Sequence, residues 1–126
     1  MNKRFTDKVL LITGAAGDIG RAVALHFANE GARLALLDLK PCNELLLSIE
    51  AIGGEARSYT CDVADSQNVQ AAVKTIASDF GRIDLLFNNA GYQGLFKKTH
   101  EYPEDDFAKV ININLIGAFH VLWTVT

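Results

Sequence analysis

Hydrophobic and polar positions follow two different periods along this chain, and the switches between them mark out its elements. Lys8 to Thr13 reads Lys-Val-Leu-Leu-Ile-Thr, a short continuous apolar run ending at glycine, which suits a strand buried on both faces. Ile19, Val23, Phe27 and Ala28 then recur at helical spacing as far as Glu30 and Gly31, where glycine supplies a helix stop. Arg33 to Leu39 is a second apolar run, and Leu45 to Ile52 a second helix closed by Gly53 and Gly54. Ala56 to Cys61 makes a weaker third strand. Asp65 and Ser66 offer caps for a third helix with Val69, Val73 and Ile76 on one face, and Ile83 to Phe87 is the fourth strand. Short strands alternating with helices predict repeated βαβ units, hence an α/β, doubly wound parallel sheet with helices on both faces.

The end of the chain departs from that alternation. After a loop through Gly91 to Pro103, Glu104 to Ile111 predicts a short helix that runs into a second one from about Asn112 onward. From Val110 to Thr126 there are 17 residues without a charge and with apolar groups all round, so this helix is expected to be buried on most sides. Asn112, Asn114, Gly117 and His120 within it argue against a membrane span. The chain stops on Thr124-Val125-Thr126 with no glycine, proline or basic last turn, and so reads as cut inside an element.

Composition narrows the field of functions. The chain has 126 residues, 49% of them apolar, with 15 acidic against 12 basic side chains: one domain, 1–126, able to bury a core. A net charge of −3 without a basic block excludes nucleic acid as the main partner. Near the N-terminus the apolar run is too short for a membrane span and lacks a small-residue cleavage site, which predicts a cytoplasmic protein. Cys42 and Cys61 have neither CxxC spacing nor a histidine partner, so they predict reduced structural thiols and no metal site.

The chemistry concentrates where strands end. Thr13-Gly14-Ala15-Ala16-Gly17-Asp18-Ile19-Gly20 lies between the first strand and the first helix. Glycines there let backbone N–H groups approach a pyrophosphate, and the helix N-terminus adds partial positive charge. The P-loop form Gly-Lys-[Ser/Thr] is absent. Asp38 closes the second strand, where a carboxylate can accept hydrogen bonds from both hydroxyls of an adenosine ribose and repel a 2′-phosphate. Asp62 follows the third strand and Asn88-Asn89-Ala90-Gly91 the fourth, at the strand ends where open α/β sheets bind ligands. Taken alone, the glycine segment fits a turn in any α/β protein and Asp62 a strand-end turn.

Together these residues resemble the short-chain dehydrogenase/reductase family, from the Thr13 to Gly20 turn through Asp38, Asp62-Val63 and Asn88 to Gly91 to Asn114 in Asn112-Ile113-Asn114-Leu115. The resemblance implies a Rossmann-type domain whose cofactor is NAD. Gly14, Ile19 and Gly20 would hold the pyrophosphate, Asp38 the adenine ribose, and Asp62 with Val63 the adenine. Asn88, Ala90 and Gly91 would line the nicotinamide side, and Asn114 would be the catalytic asparagine ordering a proton-relay water. Phe87 to Gly94, Tyr102-Pro103 with Asp105-Asp106-Phe107, and Gly117 to Leu122 resemble the branch acting on polyols, the xylitol dehydrogenases in particular. The resemblance also implies a homo-oligomer, with the last helix as a contact, and a small-molecule alcohol or ketone as substrate.

This sequence departs from the family pattern in two places. Asp18 stands where the family turn has its middle glycine; it is expected to cap the first helix and face the adenine ribose. The catalytic serine and Tyr-x-x-x-Lys pair of the family fall beyond Thr126, so the chain reads as the N-terminal portion of such an enzyme. No tyrosine here replaces that pair, since Tyr59, Tyr92 and Tyr102 are followed four positions on by Val63, Phe96 and Asp106. His26, His100 and His120 lack metal-ligand spacing and a serine partner, and read as surface or packing residues. The leading reading is an NAD-dependent oxidoreductase interconverting a secondary alcohol and a ketone. Its rivals are a non-catalytic dinucleotide- or partner-binding module and, with Lys40 in its favour, an NADPH-dependent 3-oxoacyl or other carbonyl reductase.

Overall fold

A computed structural model describes residues 3–126. Four strands, β1 (Val9–Thr13), β2 (Arg33–Asp38), β3 (Glu55–Thr60) and β4 (Leu85–Phe87), form one parallel sheet in the order β3-β2-β1-β4. Helices α1 (Asp18–Asn29), α2 (Asn43–Ala51) and α3 (Ser66–Phe80) make the crossovers. The doubly wound class predicted from the sequence is the fold seen, with strand ends shifted by one or two residues.

The central strands β1 and β2 are apolar on both sides because each side has its own helical layer. Along β1, Val9 and Leu11 face one core with Ala35, Leu37, Val69, Val73 and Ile76, while Leu10 and Ile12 face the other with Leu34, Leu36, Ala24, Ala28 and Ile49. That is the period-two alternation of a strand read into two cores at once. α3 is closed by its own sequence: Asp65 Oδ1 accepts from Asn68 N at 3.1 Å, a side-chain N-cap.

The chain leaves β1 toward β2 on one side of the sheet and later pairs β4 on the other, so the carboxyl end of β1 is a topological switch point. Beyond β4, the loop contains a short 3₁₀ turn at Thr99–Glu101 and leads into α4 (Glu104–Ile111). The helical run then continues without a break through a π-helical segment, Asn112–Gly117, into α5 (Ala118–Val125). By length and composition this run, Glu104–Val125, is apolar enough to cross a membrane. Its contacts fasten it to the sheet instead: Val121 is fully buried, His120 Nδ1 bonds the Val63 carbonyl at 2.8 Å, and Asn88 Nδ2 donates to the Ala118 carbonyl at 2.8 Å.

Burial of this helix on most sides, expected from its composition, is corrected by the structure. Leu115, Phe119, Leu122 and Trp123 are all more than half exposed, because only one stripe of the helix meets the sheet.

Candidate functional site

The switch point opens into a cleft of about 340 Å³. Its walls come from every carboxyl end of the sheet: Gly14 after β1, Leu37 to Lys40 at β2, Cys61 to Val63 after β3, and Ala90 to Tyr92 after β4, with Lys109 and Ile113 closing it from the last helical run. Of the residues singled out in the sequence, Gly14, Asp38, Asp62, Val63, Ala90 and Gly91 meet in this one cleft.

The turn after β1 is built by a hidden polar residue. Thr13 is the buried polar side chain at the end of an otherwise apolar strand, and its Oγ1 accepts from Asn89 N at 2.8 Å and Ala90 N at 2.9 Å. Asn89 answers with its own amide, Nδ2 donating to the carbonyls of Thr13 and Gly14 at 3.3 and 3.4 Å. Gly14 holds φ +67°, and a Cβ there would lie 2.9 Å from Ala90 Cα. Only glycine satisfies both the positive φ and the close approach. A Cβ on Gly20 would overlap the Gly14 carbonyl oxygen, so the first turn of α1 folds tightly back onto the loop.

α1 begins without a cap of its own. Its N-cap is Gly17, no side chain bonds its first amides, and the first closed bond is Arg21 N to Gly17 O at 2.9 Å. Helix geometry therefore leaves the N–H groups of Asp18, Ile19 and Gly20 without intrahelical acceptors, in contrast with the capped start of α3. The expectation that Asp18 caps this helix is corrected: Asp18 is the first residue inside α1, and its exposed carboxylate makes no cap bond. Ile19 beside it is 65% exposed. An uncapped helix start flanked by glycine and an exposed apolar side chain has the donor set that an anion such as a pyrophosphate requires.

Asp38 is held in place at the end of β2. Its Oδ2 accepts from Ala16 N and its Oδ1 from Lys40 N, both at 2.9 Å, so one carboxylate joins the glycine turn to the end of β2. Asp62 makes the strand-end turn foreseen as its simpler role, Oδ1 accepting from Ala64 N at 3.0 Å, and lines the cleft as well. Burial pushes the Cys61 thiol in the cleft wall up to about 11, and the Cys42 thiol is raised for the same reason. Both cysteines are free and buried.

At the far end, Asn114 sits on the π-helical segment, with its side chain beside Gly91. Its Oδ1 accepts from Tyr92 N at 2.7 Å and its Nδ2 donates to Tyr92 O at 3.0 Å; a Cβ on Gly91 would stand 3.4 Å from Asn114 Oδ1. Asn88 does not line the cleft; its amide is spent on α5. Sequence reasoning missed Thr13, Asn89, Tyr92 and Lys109 as builders of the site. The signal for the first pair was a threonine closing an all-apolar strand and the doubled asparagine after β4.

A parallel sheet with an uncapped helix start and a fixed carboxylate at its switch point is the frame of an α/β protein that binds ligands at the carboxyl ends of its strands. The chain belongs to the short chain dehydrogenase family, which it matches over residues 8–126, and the proteins of that family are oxidoreductases that use nicotinamide dinucleotides. It is 42% identical over 118 residues to the D-threitol dehydrogenase of Mycolicibacterium smegmatis, covering 92% of this chain and 45% of that protein. To the levodione reductase of Leifsonia aquatica it is 40% identical over 120 residues, again 92% of this chain and 45% of the relative. Among solved structures, an NAD⁺-bound xylitol dehydrogenase superimposes with a TM-score of 0.89 at 53% identity, over 98% of this chain and 48% of that one. The chain thus spans about half the length of the relatives it matches.

Proposed function

We propose that this chain is the dinucleotide-binding part of an NAD-dependent dehydrogenase that interconverts a secondary alcohol, a polyol or similar, and its ketone. The observation that carries the reading is the Asp38 carboxylate at the cleft mouth. Two backbone amides fix it, and each of its oxygens keeps a lone pair for a ribose hydroxyl. Its charge opposes a 2′-phosphate.

The open amides of α1, with Gly14, Ile19 and Gly20, would hold the pyrophosphate. Asp62 and Val63 would border the adenine, Ala90 and Gly91 the nicotinamide, and Asn88 would support that end through α5. Asp18 would face the adenine ribose, away from the phosphates. When bound, the nicotinamide accepts or returns the hydride of the alcohol carbon. Asn114 would order a water that relays the proton of the alcohol oxygen. A base at that oxygen needs a lowered pKa, and no tyrosine here has one: hydrogen bonding to Asp106 raises Tyr92 and Tyr102, and burial raises Tyr59. We therefore assign the acid–base pair to residues outside this sequence, and read the protein as a cytoplasmic homo-oligomer.

Lys40, beside Asp38 in the cleft wall, favours a second reading, an NADPH-dependent carbonyl reductase. Steady-state assays with NAD⁺ or NADP⁺ and xylitol or other polyols separate the possibilities. The expected result is turnover by the whole enzyme with NAD⁺ preferred. A preference for NADP⁺ would support the second reading, and dinucleotide binding without turnover of any alcohol would support a non-catalytic binding module.

A further inference from the structure

The loop after β4 is fastened to α4 through one carboxylate. Asp106 Oδ1 accepts from Tyr92 Oη at 2.7 Å, and its Oδ2 accepts from Tyr102 Oη at 2.5 Å and from Leu95 N at 3.2 Å. Tyr102 Oη also accepts from Leu95 N at 3.0 Å. Donors from both ends of the loop thus converge on one side chain. Gly94 lies between them at φ +80°, where a Cβ would overlap Tyr102 Oη and stand 2.8 Å from Val110 Cγ2. The Lys109 ammonium sits 4.2 Å from the centroid of the Tyr92 ring, a cation–π contact that also holds the ring. The two tyrosine hydroxyls keep the Asp106 carboxyl below its ordinary value, as hydrogen bonds to the charged form must.

Tyr92 is gripped a second time through its backbone. Its amide and carbonyl make both hydrogen bonds of the Asn114 side chain, and among the described residues Asn114 has no other side-chain partner. The direction in which the Asn114 amide points therefore follows the Tyr92 peptide, and that peptide is tied by its own side chain to Asp106.

We propose that Asp106 is a positioning residue: through the Tyr92 hydroxyl it fixes the Tyr92 backbone, and through that backbone it orients Asn114 at the nicotinamide end of the cleft. The catalytic consequence rests on the dehydrogenase reading; the clamp itself does not. Asp106→Asn removes the charge and faces an N–H₂ toward hydroxyl donors, while Tyr92→Phe removes a single hydroxyl and serves if the first variant does not fold. Tyr59→Phe, which removes the 2.8 Å Tyr59–Asp79 bond away from this loop, is the control.

The direct readout is the Asn114 side-chain amide signal in proton–nitrogen NMR spectra. Asp106→Asn and Tyr92→Phe are expected to shift and broaden it and to speed amide exchange in the 91–95 segment about tenfold, with β1 amides unchanged. In turnover of xylitol, both variants are expected to lower kcat about tenfold while the KM for NAD⁺ stays within about twofold. Tyr59→Phe should change none of these. An unmoved Asn114 signal in both clamp variants would overturn the proposal, and so would equal losses in β1 protection and NAD⁺ affinity, which indicate a merely structural role. Failure of the unaltered protein to bind NAD⁺ sinks the dehydrogenase reading separately, and the Asn114 signal still decides the clamp.

Discussion

At the scale of single residues, the site is made by side chains that organise backbone. Thr13, Asn89 and Asp38 all bond main-chain groups, and their combined effect is to set the glycine turn against β2 and β4. Asp18 is different, because it bonds nothing at the start of α1. Its charge complements the helix dipole but repels an anion placed near the same helix start. Asp18→Gly is therefore expected to leave dinucleotide affinity similar or tighter in a calorimetric titration; a large loss would mean that the carboxylate makes a necessary contact. The cysteines allow a pH test. A thiol raised to about 11 from 9.0 favours its protonated form, so its stabilising contribution is present below 9.0 and disappears as pH rises through about 11. At about pH 8 the native protein should resist thiol-directed alkylation, and the unfolded chain should react at both Cys42 and Cys61. Rapid labelling of the folded protein would contradict the burial seen here.

At the scale of elements, strand periodicity was legible because both faces of the sheet are covered, which turns each central strand into a continuous apolar run. β3 was weaker in the sequence because it is an edge strand and alternates exposed and partly buried residues. The tight turn between β1 and α1 was legible from Gly14 and Gly20. The uncapped start of α1 was not, since aspartate at the head of a helix reads as a cap until its position inside the first turn is known. The π-helical segment was also hidden, because an added residue per turn leaves no mark in an uncharged stretch with apolar residues all round, and with it the pairing of Asn114 and Tyr92 could not be foreseen. Gly20→Ala tests the loop as a unit. A methyl group there collides with backbone, so a destabilisation of about 1–3 kcal/mol in denaturant melts is expected, together with weaker dinucleotide binding. Unchanged stability would show that α1 can step away from the turn.

For the whole molecule, the four-stranded sheet holds a site on its carboxyl edge and an apolar surface on one side. Leu115, Phe119, Leu122 and Trp123 are exposed along one helical run, and burying such side chains is worth roughly 1.5–3 kcal/mol each. The Met1–Thr126 polypeptide is expected to self-associate in light scattering, and Trp123→Glu to reduce the association. A monomer at high concentration would refute that expectation. The carboxyl-edge cleft is proposed to bind NAD in preference to NADP through Asp38. Parallel calorimetric titrations of the protein with NADH and NADPH test it most directly: the expected result is one site with NADH bound more tightly, and equal or tighter binding of NADPH, or no binding of either, would contradict it.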